Sequence, residues 1–225
     1  MLLPIENLLS ANDVASSRKQ LSTGNWLDGK LTAGGQAVRV KSNLQLDDNS
    51  ACASGLRQLI LSRLSACPEF ISAALPKRIY PSKFNCYRNG GHYGLHVDSG
   101  IMTLPDGESL RTDISATLFL CEPEDYDGGE LVIESQYGVQ EVKLSAGDMI
   151  LYPSTSLHEV RPVTRGERVC AFFWVQSMVR ESQHRELLFD LDQSIQQLTK
   201  ERGADCPEVR RLTGIYHNLI RGWAD

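Results

Sequence analysis

Short segments rich in β-branched and aromatic residues follow one another from Lys77 to Ser177: KRIYPSKFNCYR, ISATLFLC, GGELVIES, GVQEVKLS, GDMILYP, HEVRPV and ERVCAFFWVQS. Turn formers punctuate them at Asp127-Gly128-Gly129, Ala146-Gly147-Asp148 and Arg165-Gly166. Strands this short bury little surface singly, so such a succession predicts an all-β sandwich or barrel closed by pairing between distant segments. Helical periodicity flanks the core. Ser10 and Asp13 open a helix over Ala11–Leu21 that closes near Gly24, and Leu56, Leu59, Ile60 and Leu64 mark another over Ala51–Ala66, ended by Pro68. A short helix is expected around Glu69–Leu75, and the Gly-rich stretch from Asn25 to Val38 reads as irregular. After Ser177, Leu187, Leu188, Leu191, Ile195 and Leu198 share one helical face, Gly203 stops it, and Pro207 opens a last helix bearing Val209, Leu212, Ile215, Tyr216 and Leu219. The expected organisation is residues 1–77 as an α/β part supporting the core, 78–178 as the β core, and 179–225 as a helical extension.

A chain of 225 residues suffices for one substantial buried core. Its net charge of −5 gives no electrostatic footprint for nucleic acid or for an anionic membrane surface. MLLPIENLLS lacks a basic stretch followed by a continuous apolar run, and no segment is apolar for long enough to span a bilayer. Six cysteines, at 52, 67, 86, 121, 170 and 206, lie scattered without a C-x-x-C pair. They read as free thiols in a reducing compartment, so the expected location is the cytoplasm.

The stretch NGGHYGLHVDSG, Asn89 to Gly100, concentrates chemistry. His96 and Asp98 are two apart, which puts them on one face of a strand and about 200 degrees apart on a helix. Gly90, Gly91 and Gly94 argue against the helix, so the pair can chelate one ion, and His92 is expected to line the pocket or to be exposed. A third ligand is needed. His184 and His217 fall on amphipathic helical segments, whereas His158 follows GDMILYPSTSL at the start of a late strand. His96, Asp98 and His158 then form a 2-His-1-carboxylate set, the facial triad of non-haem Fe(II) oxygenases, with open positions for a cosubstrate and O₂.

Arg168 adds a cationic clamp. If His158–Ser177 is a hairpin turning at Thr164-Arg165-Gly166, Val163 pairs with Glu167, Arg168 lies opposite Pro162, and Arg168 and His158 face the same side. The offset along the strand is about 13 Å at ~3.3 Å per residue, a gap that an extended five-carbon dicarboxylate and the arginine side chain together can fill. The planar guanidinium suits the far carboxylate better than a lysine would. A surface arginine at a strand start remains the competing reading.

The order H-x-D, distal His, then Arg ten residues on resembles the Fe(II)/2-oxoglutarate dioxygenase superfamily. More closely, Tyr87, Gly90 and His96-x-Asp98, with DYDGGEL at 125–131, GDMILYPSTSLHEVRPVTRGER at 147–168 and FFWVQSMVR after it, resemble the bacterial PKHD-type hydroxylases of the prolyl/lysyl hydroxylase-like branch. The resemblance covers nearly the whole chain. It implies a mainly β α+β fold: a double-stranded β-helix (jelly roll) core with N-terminal helices packed on it and the C-terminal helical extension. It implies that Fe(II) is held by His96, Asp98 and His158, that Arg168 anchors 2-oxoglutarate with Tyr87 hydrogen-bonding it, that O₂ is consumed with release of succinate and CO₂, and that L-ascorbate keeps the iron reduced. The substrate, a peptidyl residue or a small molecule, is left open, and a link to bacterial iron acquisition comes with the family. Related halogenases carry a small residue where Asp98 stands, so its presence favours hydroxylation. The alternative is a metal-binding, cupin-like ligand sensor without catalysis; cupins usually carry H-x-H, which weakens that reading. Trp174 and Phe173 read as core, and the segment Ser99–Asp113 as a lid. The apolar faces of residues 180–225 could pack on the β core, cover the site, or form a homo-oligomer seam.

Overall fold

The computed structural model describes residues 1–32, 40–135 and 138–225. The irregular stretch expected up to Val38 therefore lies partly outside the described residues. The β segments pair into two main sheets and two small two-stranded ones. The larger runs Leu3–Ile5, Met149–Pro153, Ile114–Phe119, Glu167–Ser177, Lys83–Arg88, Leu44–Leu46, Trp26–Asp28, with Pro76–Ile79 also paired to Glu167–Ser177. The smaller runs Gly138–Val142, Leu131–Ser135, His158–Val160, His92–His96, Lys41–Ser42. Every pairing among the described strands is antiparallel. The molecule is mainly sheet, and long-range pairing builds it, as the shortness of the segments requires.

Alternation along the central strand, Glu167–Ser177, shows how one sheet serves two layers. Arg168, Cys170, Phe172 and Trp174 line a cavity between the sheets. Val169, Ala171 and Val175 belong to a buried apolar cluster shared with Leu56, Ile60 and Leu64 of the helix Ala51–Ser65 and Phe70 of the helix Pro68–Ala74. Each such side chain contributes about 1.5–3 kcal/mol by leaving water, so the helices are held by apolar contact. Local signals set their ends. The Ala11–Ser22 helix carries the expected capping box, with Ser10 Oγ accepting from the Asp13 N–H and the Asp13 carboxylate accepting from the Ser10 N–H. Ser50 Oγ caps Ala51–Ser65 by accepting from the Ala53 N–H. Cys86, Cys121 and Cys170 are buried thiols, and all six cysteines are unpaired.

The expected hairpin His158–Ser177 does not form. Val163–Arg165 pairs with Asp127–Gly128, His158–Val160 pairs with Leu131–Ile133 and with His92–His96, and Glu167–Ser177 lies in the other sheet. Arg168 stands opposite Tyr87, not Pro162. Gly166, at φ +70°, is where the chain turns from the two-stranded pairing of Val163–Arg165 into the large sheet; a side chain there would strike the Asp125 carbonyl. A local turn rule thus lost to the demand that both flanking strands find partners across the sandwich.

The C-terminal helices, Ser182–Arg202 and Pro207–Trp223, pack on each other and on the sheet exit through Leu188, Val179 and Leu75, with Tyr216, Leu219, Ile220 and Trp223 around them. None of their residues lines the cavity among the described residues, so packing on the body of the chain is the role the structure shows. No helix among the described residues is long and apolar enough to cross a membrane.

Candidate active site

The structure brings His96, Asp98 and His158 together, with one donor atom from each within 4.8 Å of the others. His96 ends the strand His92–His96 and His158 opens its neighbour, where the two residues are directly paired. Their ring centroids are 4.2 Å apart, and His158 Nε2 is 3.8 Å from Asp98 Oδ2. Both imidazoles are set for binding a cation. His96 Nδ1 lies 2.8 Å from the Gly94 carbonyl and His158 Nδ1 lies 3.0 Å from the Ser156 carbonyl. A carbonyl can only accept, so each Nδ1 carries the proton and each Nε2 offers a lone pair. Burial, followed by the neighbouring His158, pushes the His96 pKa down to about 4, so the ring is neutral near pH 7. Tyr93 stacks on His96 at 3.7 Å between centroids and fixes the ring's plane.

A serine missed by the reading of the sequence holds the carboxylate, and a second serine backs it. Ser115 Oγ donates to Asp98 Oδ2 at 2.6 Å and is 2.8 Å from Ser154 Oγ. Ser115 sits on the cavity face of Ile114–Phe119, between the apolar Ile114 and Ala116. The signal was present: hydroxyls at 115 and 117 alternate with Ile114, Ala116 and Leu118 in an otherwise apolar segment.

Arg168 lines the same cavity, of about 150 Å³, from the opposite sheet. It is 1% exposed. Nη1 donates to Cys170 Sγ at 3.1 Å, while Nε and Nη2 have no partner. The guanidinium lies over Tyr87 and Phe119, 5.2 and 5.3 Å from the ring centroids. Tyr126 is packed beside it with its hydroxyl also unpartnered. The glycine pair of DYDGGEL makes room here: a Cβ on Gly129, at φ +69°, would come 3.0 Å from both Arg168 Cδ and Tyr126 Cε2. Tyr87 is buried against the guanidinium, its hydroxyl accepting from Asn85 Nδ2 at 3.1 Å, and burial raises its pKa. His92 is not among the residues lining the cavity; its Nδ1 faces the Gly90 carbonyl at 3.0 Å.

One further expectation changes. Trp174 lines the cavity with Phe172, their rings edge to face at 5.5 Å, so it is not simply core. The segment Ser99–Asp113 is a hairpin, Ile101–Thr103 with Ser109–Arg111, of which Ser99 and Met102 reach the cavity wall.

The residues fit a divalent metal and a dicarboxylate. Neutral imidazole nitrogens and a hydroxyl-held carboxylate make a donor set suited to Fe(II). A buried guanidinium with two idle nitrogens is costly unless an anion completes it.

Comparison with known proteins agrees. A family model described as the 2OG-Fe(II) oxygenase superfamily matches residues 82–176, and one described as the PKHD-type hydroxylase C-terminal domain matches residues 183–225. A PKHD-type hydroxylase of Pseudoalteromonas atlantica is 57% identical over 225 residues, covering 100% of this chain and 99% of that one. Among solved structures, a Pseudomonas putida prolyl-4-hydroxylase superposes with a TM-score of 0.54 at 20% identity, covering 78% of this chain and 92% of that one. HygX of Streptomyces hygroscopicus, solved with nickel, 2-oxoglutarate and hygromycin B, superposes with a TM-score of 0.53 at 17% identity, covering 76% and 81%. With more than half its residues identical to such a relative along its whole length, the chain belongs to the PKHD-type hydroxylases, within the 2OG-Fe(II) oxygenase superfamily.

Proposed function

We propose that His96, Asp98 and His158 hold Fe(II), that Arg168 takes the far carboxylate of 2-oxoglutarate, and that Tyr87 hydrogen-bonds the same molecule through its hydroxyl. The observation that carries this reading is the pairing, in one cavity, of a His-Asp-His donor set with a buried guanidinium two of whose nitrogens have no partner. Fe(II) with 2-oxoglutarate supplies oxidative decarboxylation by O₂, giving succinate and CO₂, and insertion of one oxygen atom into a C–H bond of a second substrate. The chain's part is orientation and exclusion of water. The backbone carbonyls of Gly94 and Ser156 select the imidazole tautomers, Ser115 holds the carboxylate with Ser154 behind it, and the rings of Tyr87 and Phe119 shield the guanidinium.

On this reading the two facing sheets are a double-stranded β-helix, residues 78–178 are the oxygenase unit, residues 1–77 support it, and residues 179–225 brace it. The protein works in the cytoplasm on an unidentified substrate, and ascorbate re-reduces iron lost to uncoupled turnover. The test is succinate formation from 2-oxoglutarate with Fe(II) and O₂. Wild-type protein is expected to release succinate, and His96→Ala or Asp98→Ala to release none while remaining folded. Full succinate release by His96→Ala overturns the assignment. Tight metal binding by the wild type without any succinate favours the cupin-like sensor.

A further inference from the structure

The cavity has a second cationic end. Lys41 lies on the edge strand Lys41–Ser42, paired with Tyr93, and lines the cavity at only 5% exposure. Its Nζ donates to Gln45 Oε1 at 3.3 Å and lies 5.4 Å from the centroid of the Tyr93 ring. Among the described residues no carboxylate comes within ion-pair distance of it. Asp48 is engaged by Lys83 and Arg57, and Asp28 and Asp48 act on Lys41 only through space. Burial, followed by the like charge of Lys83, pulls the Lys41 ammonium down to about 8.

Register gives the separation of Lys83 from Arg168 along the cavity wall, while Lys41 reaches that wall through Gln45, which pairs with Asn85. Arg168 pairs with Tyr87 and Phe172 with Lys83, so Lys83, Asn85 and Tyr87 form one ladder along the cavity wall. Four residues of strand separate Tyr87 from Lys83, about 13 Å. On the proposed reading, one carboxylate of 2-oxoglutarate goes to the metal and the other to Arg168. Lys41 is then left over. An ammonium held out of water without a counter-charge is expensive, and methylene-rich apolar residues would fill the same space at less cost.

We infer that Lys41, with the Asp48-paired Lys83 also on the cavity wall, forms an anion subsite for a carboxylate of the primary substrate, whose hydrocarbon part lies against Phe172 and Trp174. The substrate is therefore an acid. This rests on the Fe(II)/2-oxoglutarate reading for the identity of the other ligand, but not for the chemistry of the subsite itself.

The test uses the full chain loaded with zinc and saturated with 2-oxoglutarate, its lysine ε-carbons labelled for NMR. It is titrated with N-acetylglycine and, separately, with the isosteric N-acetylglycinamide. The carboxylate is expected to move the Lys41 resonance, identified by its loss in Lys41→Met, and the amide to leave it in place. Lys41→Met is expected to weaken N-acetylglycine binding about tenfold or more without altering 2-oxoglutarate affinity, and Lys41→Arg to retain the probe. Thermal melting checks that each variant folds. A Lys41 signal that responds to N-acetylglycine no more than to chloride overturns the inference. So does a response to 2-oxoglutarate itself, with weaker cosubstrate binding in Lys41→Met, because that gives the lysine to the cosubstrate. If Arg168→Met leaves 2-oxoglutarate binding untouched while Lys41 still answers the probe, the proposed function fails and the anion subsite stands.

Discussion

Arg168 and Arg185 are buried to nearly the same depth, 1% and 5% exposed, and neither forms an ion pair among the described residues. Their surroundings differ. Arg185, in the first turn of the Ser182–Arg202 helix, donates from Nη1 to the carbonyls of Val179 and Arg180 at 2.8 and 2.7 Å, finishing backbone that the strand-to-helix junction leaves open. Arg168, in the middle of the large sheet, keeps Nε and Nη2 idle. On the helical side a buried polar group completes the fold, as Ser72 does by donating to Asp192 at 2.6 Å. On the cavity side polar groups stay open at a cost to the fold, and that cost is the mark of a site for something else.

The comparison is broken most directly at Arg168. Arg168→Met is expected to raise the 2-oxoglutarate KM about 10- to 100-fold, corresponding to ~1.5–3 kcal/mol for charge-assisted hydrogen bonds to the carboxylate. Succinate assays across cosubstrate concentrations measure it. Thermal melting of the free protein should hold or rise, because the variant removes a buried charge that lacks its partner. A large loss of stability with KM unchanged would make Arg168 a second Arg185, a structural cation.

Part of this was legible in the sequence. Strand parity pointed to His96 and Asp98 as a pair, but the strand ends at His96 and Asp98 lies just beyond it; the two still converge with His158, which opens the neighbouring strand. Arg168 was picked for a register that does not exist. It reaches the cavity because the inner faces of two separate sheets look into it, which no local pairing rule contains. Lys41 left no trace of its role: its strand is two residues long, too short for periodicity, and its environment comes from Tyr93 and Gln45 on other strands. Ser115 was readable and went unread, since apolar alternation drew the eye to Ile114, Ala116 and Leu118.

The helical side sharpens the contrast. Arg185→Met should strand two carbonyls and cost about 1–3 kcal/mol of unfolding free energy, read by chemical denaturation. The 2-oxoglutarate KM should not move, since no residue of 179–225 lines the cavity among the described residues. A raised KM in Arg185→Met would mean that the helices support the cavity wall, and the two regions would no longer be separable.

Acid should separate them more gently. In the metal-free protein the His96 pKa is lowered from 6.5 to about 4, first by burial and then by His158. The unfolded chain therefore binds a proton at this residue at pH values where the folded chain refuses it. Stability is full above about pH 6.5, falls as pH drops towards about 4, and levels below that, with at most about 3 kcal/mol at stake. Denaturant titrations at a series of pH values would show this slope in the wild type and in Arg185→Met alike, and a shallower one in His96→Asn. A slope that survives in His96→Asn would assign the acid sensitivity to groups elsewhere, and the metal-binding side of the cavity would lose its claim to being the strained half of the molecule.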